Sequence, residues 1–348
     1  MNDTLVDTLA AAGQPTQVWT GSDGGTVLVL PYGGRILGLF APESRKNFLW
    51  THPALNASST ARSFYESSEW HNSGGDRTWL SPEVDFFLPN FPQLDVYVPP
   101  REFDPGHYQL TRENGAIKLS NRFASRLSRS GTTVQLELTK RLSGARNPLR
   151  TMRSGVFDEL EYAGYALHTR LAFTSGLCEP VAIGLWCLLQ LPHGGELLIP
   201  TFSKAKIKTY FGKVDAEDLT LSDHLIRYHM RGPGEHKIGF EAPVVTGRGG
   251  YLKLMGDQSS LVIRNFSVDP SGEYVDVPWG ETECPGAAIE ACNVNSELGS
   301  FSELEYHVPA IGGSSGNWCC EDESRVWAFR GAEQTILRVS RLLLSPES

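Results

Sequence analysis

TVQLELTKRL, residues 133–142, is the stretch of this 348-residue chain that decides its fold class. Its apolar residues Val134, Leu136 and Leu138 alternate with polar ones. A period of two is typical of a β-strand that turns one face to the core and the other to water. We therefore predict a half-buried strand here, of the kind found in antiparallel sheets.

Segments of the same kind recur along the whole chain. Short β-branched or alternating runs, bounded by Gly, Pro or Asn, lie at 26–31, 34–40, 94–98, 116–120, 165–173, 181–191, 206–211, 225–230, 251–255, 260–268, 287–294, 302–308, 325–330 and 336–344. Only residues 3–12 have the pattern of a short helix. About fifteen strands with almost no crossover helix predict an all-β fold, a large antiparallel β-sandwich.

The chain carries no sign of a domain boundary. It has no Pro/Ser-rich linker, no block of like charge and no repeat of fixed period, so residues 1–348 are predicted to form a single domain. The longest irregular stretch, 41–94, is rich in Pro, Gly, Asn and Ser. A segment of this length is predicted to be a functional loop rather than a simple connection.

Composition narrows the class of partner. Lys and Arg number 31 against 40 Asp and Glu, a formal net charge of −9, so nucleic acid is not expected as a partner. The most apolar run, 181–192, is shorter than the roughly 20 residues of a spanning helix, so no membrane partner is expected. The N-terminal residues lack the basic start of a secretory signal, and the six cysteines form no Cys-x-x-Cys pair. A cytoplasmic protein with reduced thiols is expected, and its oligomeric state is left open.

The first candidate site is WHNSGGDRTWLSPE, residues 70–83. It places two indoles, an imidazole, an amide, two carboxylates and a guanidinium around a Gly-Gly bend. A sugar suits this mixture, because its C–H face stacks on an aromatic ring while its hydroxyls need short, directional donors and acceptors. The alternative is structural: Asp76 and Arg77 form an ion pair that fixes the loop, and the Trp rings close the core.

Two further candidates lie near the C-terminus. Glu290 is set among small apolar residues on a predicted strand, where burial would raise its pKa toward the range useful for proton transfer. A solvent-facing edge position is the alternative for this residue. Glu303, Glu305 and His307 share one face of the next strand, and a solvated charged face explains this stripe most simply. Its spacing matches no strong ligand motif, so no metal site is expected.

Several of these motifs together resemble a known superfamily. GGRILGL at 33–39 is followed by NFLW at 47–50, and late in the chain Ile289-Glu290 precedes the Glu303-Leu304-Glu305 strand. The chain thereby resembles the galactose mutarotase-like (aldose 1-epimerase-like) superfamily from near its start to near its end. Residues 74–83, GGDRTWLSPE, are closest to a poorly characterised branch of it.

The resemblance implies a β-supersandwich whose open concave face binds a monosaccharide without a cofactor. In the family a Glu near the C-terminus takes the proton of the anomeric hydroxyl, while a His on a central strand protonates the ring oxygen. Glu290 matches the base, and His193 or His71 is the expected acid. The residues expected to hold the sugar are Arg35, Trp70, Asn72, Asp76, Arg77, Trp79, Glu83, Trp186 and Gln190.

The expected function is a carbohydrate-binding isomerase of the aldose 1-epimerase type, acting on a monosaccharide or oligosaccharide, with Trp79 and Trp186 stacked on the ring. A glycan lyase or glycosidase on the same scaffold and a non-catalytic sugar-binding protein are the alternatives. They stay open because the central strand offers Trp186 and Gln190 where the family has its His, with His193 only beyond Pro192.

Overall fold

The computed structural model describes residues 4–113, 115–152, 155–176, 181–281 and 284–344, so Asp3 of the predicted helix and Cys178 lie outside it. The strands are β1 (Gln17–Thr20), β2 (Thr26–Leu30), β3 (Arg35–Phe40), β4 (Asp76–Ser81), β5 (Gln109–Glu113), β6 (Ala116–Arg126), β7 (Thr133–Gly144), β8 (Glu161–Phe173), β9 (Ala182–Pro192), β10 (Glu196–Pro200), β11 (Lys208–Phe211), β12 (Leu219–Leu221), β13 (Leu225–His229), β14 (Gly234–Phe240), β15 (Arg248–Lys253), β16 (Ser259–Asn265), β17 (Ile289–Ser296), β18 (Gly299–Gly312) and β19 (Cys319–Gly331). The helices are α1 (Leu5–Ala11), α2 (Ser58–Glu66), α3 (Glu83–Phe86) and α4 (Glu333–Leu344).

The described strands form two large sheets. One has nine strands in the order β1-β2-β3-β4-β9-β18-β17-β14-β11, and the other has ten in the order β12-β13-β10-β15-β16-β19-β8-β7-β6-β5. Neighbouring strands pair antiparallel in both sheets. The antiparallel β-sandwich predicted from the sequence is thus confirmed.

Alternate residues of each strand pack between the sheets. On β7, Val134, Leu136 and Leu138 are fully buried, as the period of two predicts. One cluster of buried apolar side chains runs from Val27 to Ala328 and draws on strands of both sheets. This apolar layer is the main core of the protein.

A buried ionic group also lies between the sheets. Asp76, on β4 of the nine-stranded sheet, accepts hydrogen bonds from Arg264 Nη1 at 3.1 Å and from the Tyr165 hydroxyl at 2.6 Å, both on the ten-stranded sheet. Since successive strand residues point to opposite faces, Arg77 faces away from the core. The outer face of the nine-stranded sheet therefore carries Arg77 and Trp79.

Two strand predictions are wrong. Residues 336–344 lie in α4, where Ile336, Val339 and Leu344 are buried at helical spacing and join a cluster with Leu261 on the ten-stranded sheet. Residues 94–98 have no strand structure and run as an extended connection. Short apolar runs do not by themselves distinguish a buried helix from a strand, because both need only one apolar face.

The stretch 41–94 is not one long loop. It contains α2 and α3, and β4 runs through it as an inner strand of the nine-stranded sheet. All six residues of β4 are buried, so the segment lacks the alternation that marks a half-exposed strand. Because both faces of β4 are covered, its sequence lacks the alternation of apolar and polar residues from which the other strands were predicted.

The predicted N-terminal helix is present as α1. Its N-cap is Thr4, whose side chain accepts a hydrogen bond from the Asp7 backbone N–H at 3.2 Å, and the Asp7 carboxylate accepts one from the Thr4 backbone N–H. Among the described residues, no helix is both long enough and apolar enough to cross a membrane.

Candidate functional site

The outer face of the nine-stranded sheet forms the floor of a cavity of about 630 Å³. Neighbouring strands β4, β9, β18, β17 and β14 each contribute alternate side chains to this floor. The loops after β4 and after β16 close one side through Glu83, Tyr97 and Trp279. The polar side chains that line it include Asn72, Arg77, Glu83, Glu235, Lys237, Glu303 and Glu305. The volume falls within the range of small-molecule sites.

Arg77 organises one end of the cavity. Its guanidinium donates to Asn72 Oδ1 and to Glu303 Oε1, each at 3.0 Å, and lies 3.9 Å from the ring of Trp79. Gln190 Nε2 donates to the same Glu303 oxygen at 3.0 Å. Burial lowers the pKa of Arg77 from its usual value, and Glu303 opposes that shift. Oε1 of Glu303 therefore accepts hydrogen bonds from both Arg77 and Gln190.

Lys237 lies at the centre of four carboxyl groups. Its Nζ is 2.9 Å from Glu290, 3.6 Å from Glu83, 3.7 Å from Glu305 and 3.8 Å from Asp276. Burial alone would lower the pKa of Lys237, but Glu290 and the other three acids raise it well above its usual value. Burial, reinforced by Glu290, raises the pKa of Asp276 to about 7. The ammonium is therefore the fixed positive charge of the site.

Glu305 is a second carboxyl group whose surroundings favour the protonated form. It is 1% exposed and lines the cavity, and its Oε2 accepts a hydrogen bond from Trp186 Nε1 at 2.7 Å. Burial raises its pKa well above the usual value; Lys237 opposes this, while Glu303 and Glu290 add to it. Its Oε1 is buried without a hydrogen-bond partner among the described residues. Glu305 thus lies beside Glu303 in surroundings that favour its protonated form.

The expected rise in the pKa of Glu290 is wrong. Burial does raise its pKa, but Lys237 and then His307, whose Nε2 is 3.2 Å away, lower it below the usual range. Glu290 is fully buried and is not among the residues that line the cavity. The structure makes it the counter-ion that positions Lys237 and His307.

Neither candidate acid, His71 nor His193, lies on the cavity lining. His71 shares a hydrogen bond of 2.5 Å with the Tyr32 hydroxyl through Nδ1 and one of 3.0 Å with Ser67 Oγ through Nε2. It faces a smaller cavity of about 250 Å³. His193 Nε2 shares a 3.0 Å hydrogen bond with Asn293 Oδ1. The structure does not bring either imidazole to Glu290.

Arg35 and Asp76 also lie outside the cavity. Arg35 is fully buried and donates to Asp104 Oδ2 at 2.8 Å and to the Gly74 carbonyl at 3.1 Å. Asp76 faces the ten-stranded sheet, so the Asp76–Arg77 ion pair considered above does not form. Of the other predicted residues, Trp70, Asn72, Arg77, Trp79, Glu83 and Trp186 line the cavity, and Gln190 supports it through Glu303.

The prediction of a solvated stripe at Glu303, Glu305 and His307 is wrong. These residues are 5%, 1% and 1% exposed, and two of them, Glu303 and Glu305, line the cavity. The period of two correctly placed these three residues on one face of β18. Glu303 on β18 pairs with Gln190 on the neighbouring strand β9. Lys237 was missed because β14 is interrupted by Gly and His and shows no clear apolar alternation.

Within the part of the chain that the structure describes, two groups of side chains have metal-ligand atoms close together. Asp276, Glu290 and His307 form one, and Cys292, Glu303 and Glu305 form the other, each with its atoms within 4.8 Å of one another. The first group already has the Lys237 ammonium 2.9 Å from Glu290. In the second, burial raises the pKa of Cys292 well above its usual value, which disfavours the thiolate that a metal requires. The acids are explained by their contacts with Lys237 and Arg77.

Comparisons with known proteins agree on the fold. The sequence matches the profile of a family of unknown function, DUF6786, over residues 10–345. No curated protein matches the chain. An Escherichia coli K12 protein named as a putative aldose 1-epimerase has a similar structure, with TM-score 0.55 and 10% identity over 90% of this chain and 99% of its own. A galactose mutarotase-like protein from Lactobacillus casei gives 0.51 and 8% over 90% and 100%. At such identities the likeness shows the mutarotase-like β-sandwich fold.

Proposed function

The chain belongs to DUF6786, a family of unknown function, and we propose that it is a sugar isomerase of the aldose 1-epimerase type. The observation that carries this proposal is a pair of neighbouring carboxyl groups, Glu303 and Glu305, on the floor of an aromatic-lined cavity, where burial raises the pKa of Glu305. The fold is also that of structures named as aldose 1-epimerase and galactose mutarotase-like proteins.

Ring opening at an anomeric carbon needs one base and one acid. The Glu303 carboxylate takes the proton of the anomeric hydroxyl while the C1–O5 bond breaks, and the ring oxygen takes the proton of Glu305. The open-chain aldehyde turns about its C1–C2 bond. The ring closes when O5 attacks the other face of C1. O5 then returns its proton to Glu305, and Glu303 returns its proton to O1, so both carboxyl groups regain their starting protonation states.

Neighbouring cationic side chains stabilise the carboxylates that take part in these proton transfers. Arg77 stabilises Glu303 as a carboxylate, and Lys237, 3.7 Å from Glu305, stabilises the carboxylate that Glu305 becomes after it gives up its proton. Glu290 acts through Lys237 as a positioning residue. The imidazoles of His71 and His193 have no part in this scheme.

The sugar ring needs an aromatic surface that is free. One face of Trp79 is covered by the Arg77 guanidinium at 3.9 Å, and one face of Trp186 by Lys237 Nζ at 4.1 Å. On the cavity wall, Tyr97 stacks between Phe87 at 5.2 Å and Trp279 at 5.9 Å, so both faces of the Tyr97 ring are covered. We assign stacking on the sugar to the other face of Trp279.

Proton NMR of freshly dissolved single anomers tests the proposal. We expect the wild-type protein to speed anomer exchange for at least one sugar of a broad panel, and Glu305→Gln to lower that rate about 100-fold or more. Glu321→Gln is the matched control, since Glu321 is on the other sheet with its side chain 57% exposed. A panel in which no sugar equilibrates faster with the wild type contradicts the proposal.

A glycosidase is the second candidate, and one distance favours it. An oxygen of Glu303 and an oxygen of Glu305 lie within 4.8 Å of each other, and retaining glycosidases hold their two carboxyl groups about 5–5.5 Å apart. Release of aryl alcohol from a panel of aryl glycosides, abolished by Glu305→Gln, would support hydrolysis in place of isomerisation.

A further inference from the structure

The cavity floor changes from charged to apolar along β17 and β18. Three successive cross-strand pairs lie on this face, since every second residue of a strand points the same way. In order along the hairpin toward its turn, the pairs are Glu290–Glu305, Cys292–Glu303 and Val294–Phe301. The proton-transfer groups thus lie at one end of the floor, and apolar side chains continue it toward the β17–β18 turn.

Four apolar side chains line this end of the cavity, and we call them the apolar wall: Phe211, Val294, Leu298 and Phe301. Val294 and Phe301 belong to a cluster separate from the main core, and Phe211 packs against that cluster. Leu298, at the turn, is 54% exposed. Burial of Leu298 in the folded chain therefore contributes little to stability.

A bare sugar does not suit this wall. Its hydroxyls would lose hydrogen bonds to water against Val, Leu and Phe side chains and gain none. The nearest charged side chain across the strands is Glu235, opposite Val294, and its Oε1 accepts a hydrogen bond from Ser296 Oγ at 2.7 Å. With Glu303 also on the lining, the cavity favours a neutral group over an anionic one at this end.

We propose that the substrate is a sugar with a neutral apolar substituent, of the acyl, alkyl or aryl class, and that the apolar wall binds this substituent. The inference rests on the proposed function, which requires a free anomeric hydroxyl over Glu303 and Glu305. The substituent is therefore attached at a carbon other than C1. Its position and size set how far it reaches along Val294 and Phe301 toward Leu298.

Binding measurements separate the two proposals. Glucose, galactose and mannose are each titrated as the free sugar and as the 3-O- and 6-O-hexanoyl esters, with calorimetry as the readout. We expect one ester to bind the wild type at least about tenfold tighter than its parent sugar, or about 1.4 kcal/mol. If free sugars bind and no ester binds tighter, this inference fails and the proposed function stands. If neither sugars nor esters bind, both fail.

A matched pair of exposed leucines locates the effect. Leu298→Ser should weaken ester binding several-fold more than it weakens free-sugar binding. Leu254→Ser is the control, because Leu254 is 46% exposed and is not on the cavity lining, and it should change neither. Equal weakening by both variants overturns the inference. The inference is also overturned if the wild type is a dimer that Leu298→Ser dissociates and no ester is preferred over its parent sugar. A second copy of the chain would then cover the apolar wall.

Discussion

Replacing Lys237 by Met tests whether its ammonium holds the four buried carboxyl groups of the site in place. Four acids lie within 3.8 Å of Nζ, and Lys237 itself is 2% exposed. Removing one partner of a buried ion pair typically costs about 3–5 kcal/mol, because the remaining charges are left uncompensated. We expect Lys237→Met to lower the free energy of unfolding by about that amount in mildly alkaline buffer.

The stability loss caused by Lys237→Met should become smaller as the pH falls. In the wild type the pKa of Lys237 is raised, so its contribution is fully present below its ordinary value of 10.5 and is lost only above the folded-state value. The pKa of Glu290 is lowered, so its contribution is present above its ordinary value of 4.5 and is lost as pH falls through the folded-state value. Without Lys237 the buried acids bind protons more tightly when folded than when unfolded, so the variant gains stability toward about pH 5.

Lys140→Met is the matched control, because Lys140 is also fully buried but has a carbonyl partner, Gly34 O, at 2.8 Å. Burial lowers the pKa of Lys140 to about 8, so its effect on stability changes only as pH rises from about 8 toward 10.5. Urea unfolding followed by tryptophan fluorescence at several pH values measures both differences. The reasoning is refuted if the stability loss caused by Lys237→Met changes as little between about pH 5 and 8 as the stability loss caused by Lys140→Met.

Three further substitutions probe other parts of the structure. Asp76→Asn leaves Arg264 buried without its carboxylate and should lower the free energy of unfolding in urea by about 3–5 kcal/mol; a loss below about 1 kcal/mol would contradict the inter-sheet ion pair. Trp186→Phe removes the N–H that donates to Glu305 and should lower kcat for anomer exchange about tenfold with KM unchanged; an unchanged kcat argues against that role. Gly75→Ala should lower Tm by roughly 5 °C or more in a thermal scan, because φ is +79° and the new Cβ would overlap backbone of an adjacent strand; an unaltered Tm would show that the backbone adjusts.

Local patterns predicted the fold where one face of a strand meets water. The alternation at 133–142 predicted β7, and the helical pattern at 3–12 predicted α1. The pattern failed at β4, where both faces are covered, and at α4, whose run of apolar residues fits either a helix or a strand. Which face of an element is covered depends on partners distant in the chain, and periodicity does not contain that information.

The site was predicted in part for the same reason. Residues 70–83 supplied Asn72, Arg77 and Glu83, and the strand period grouped Glu303 with Glu305. Their burial could not be foreseen, since it follows from β18 lying in the middle of the nine-stranded sheet beside β9. The pKa of Glu290 depends on Lys237, which comes from β14, a strand that the sequence did not reveal.

The account depends most on Glu305 keeping its proton in the folded protein, and carbon-13 NMR of protein labelled at the glutamate carboxyl carbons measures this without knowledge of the substrate. We predict that one glutamate resonance keeps the chemical shift of a protonated carboxyl at about pH 7, well above the usual glutamate pKa near 4.3. That resonance should be absent from Glu305→Gln protein and present in the Glu321→Gln control. A spectrum in which every glutamate carboxyl is already ionised at about pH 6 would contradict the central claim.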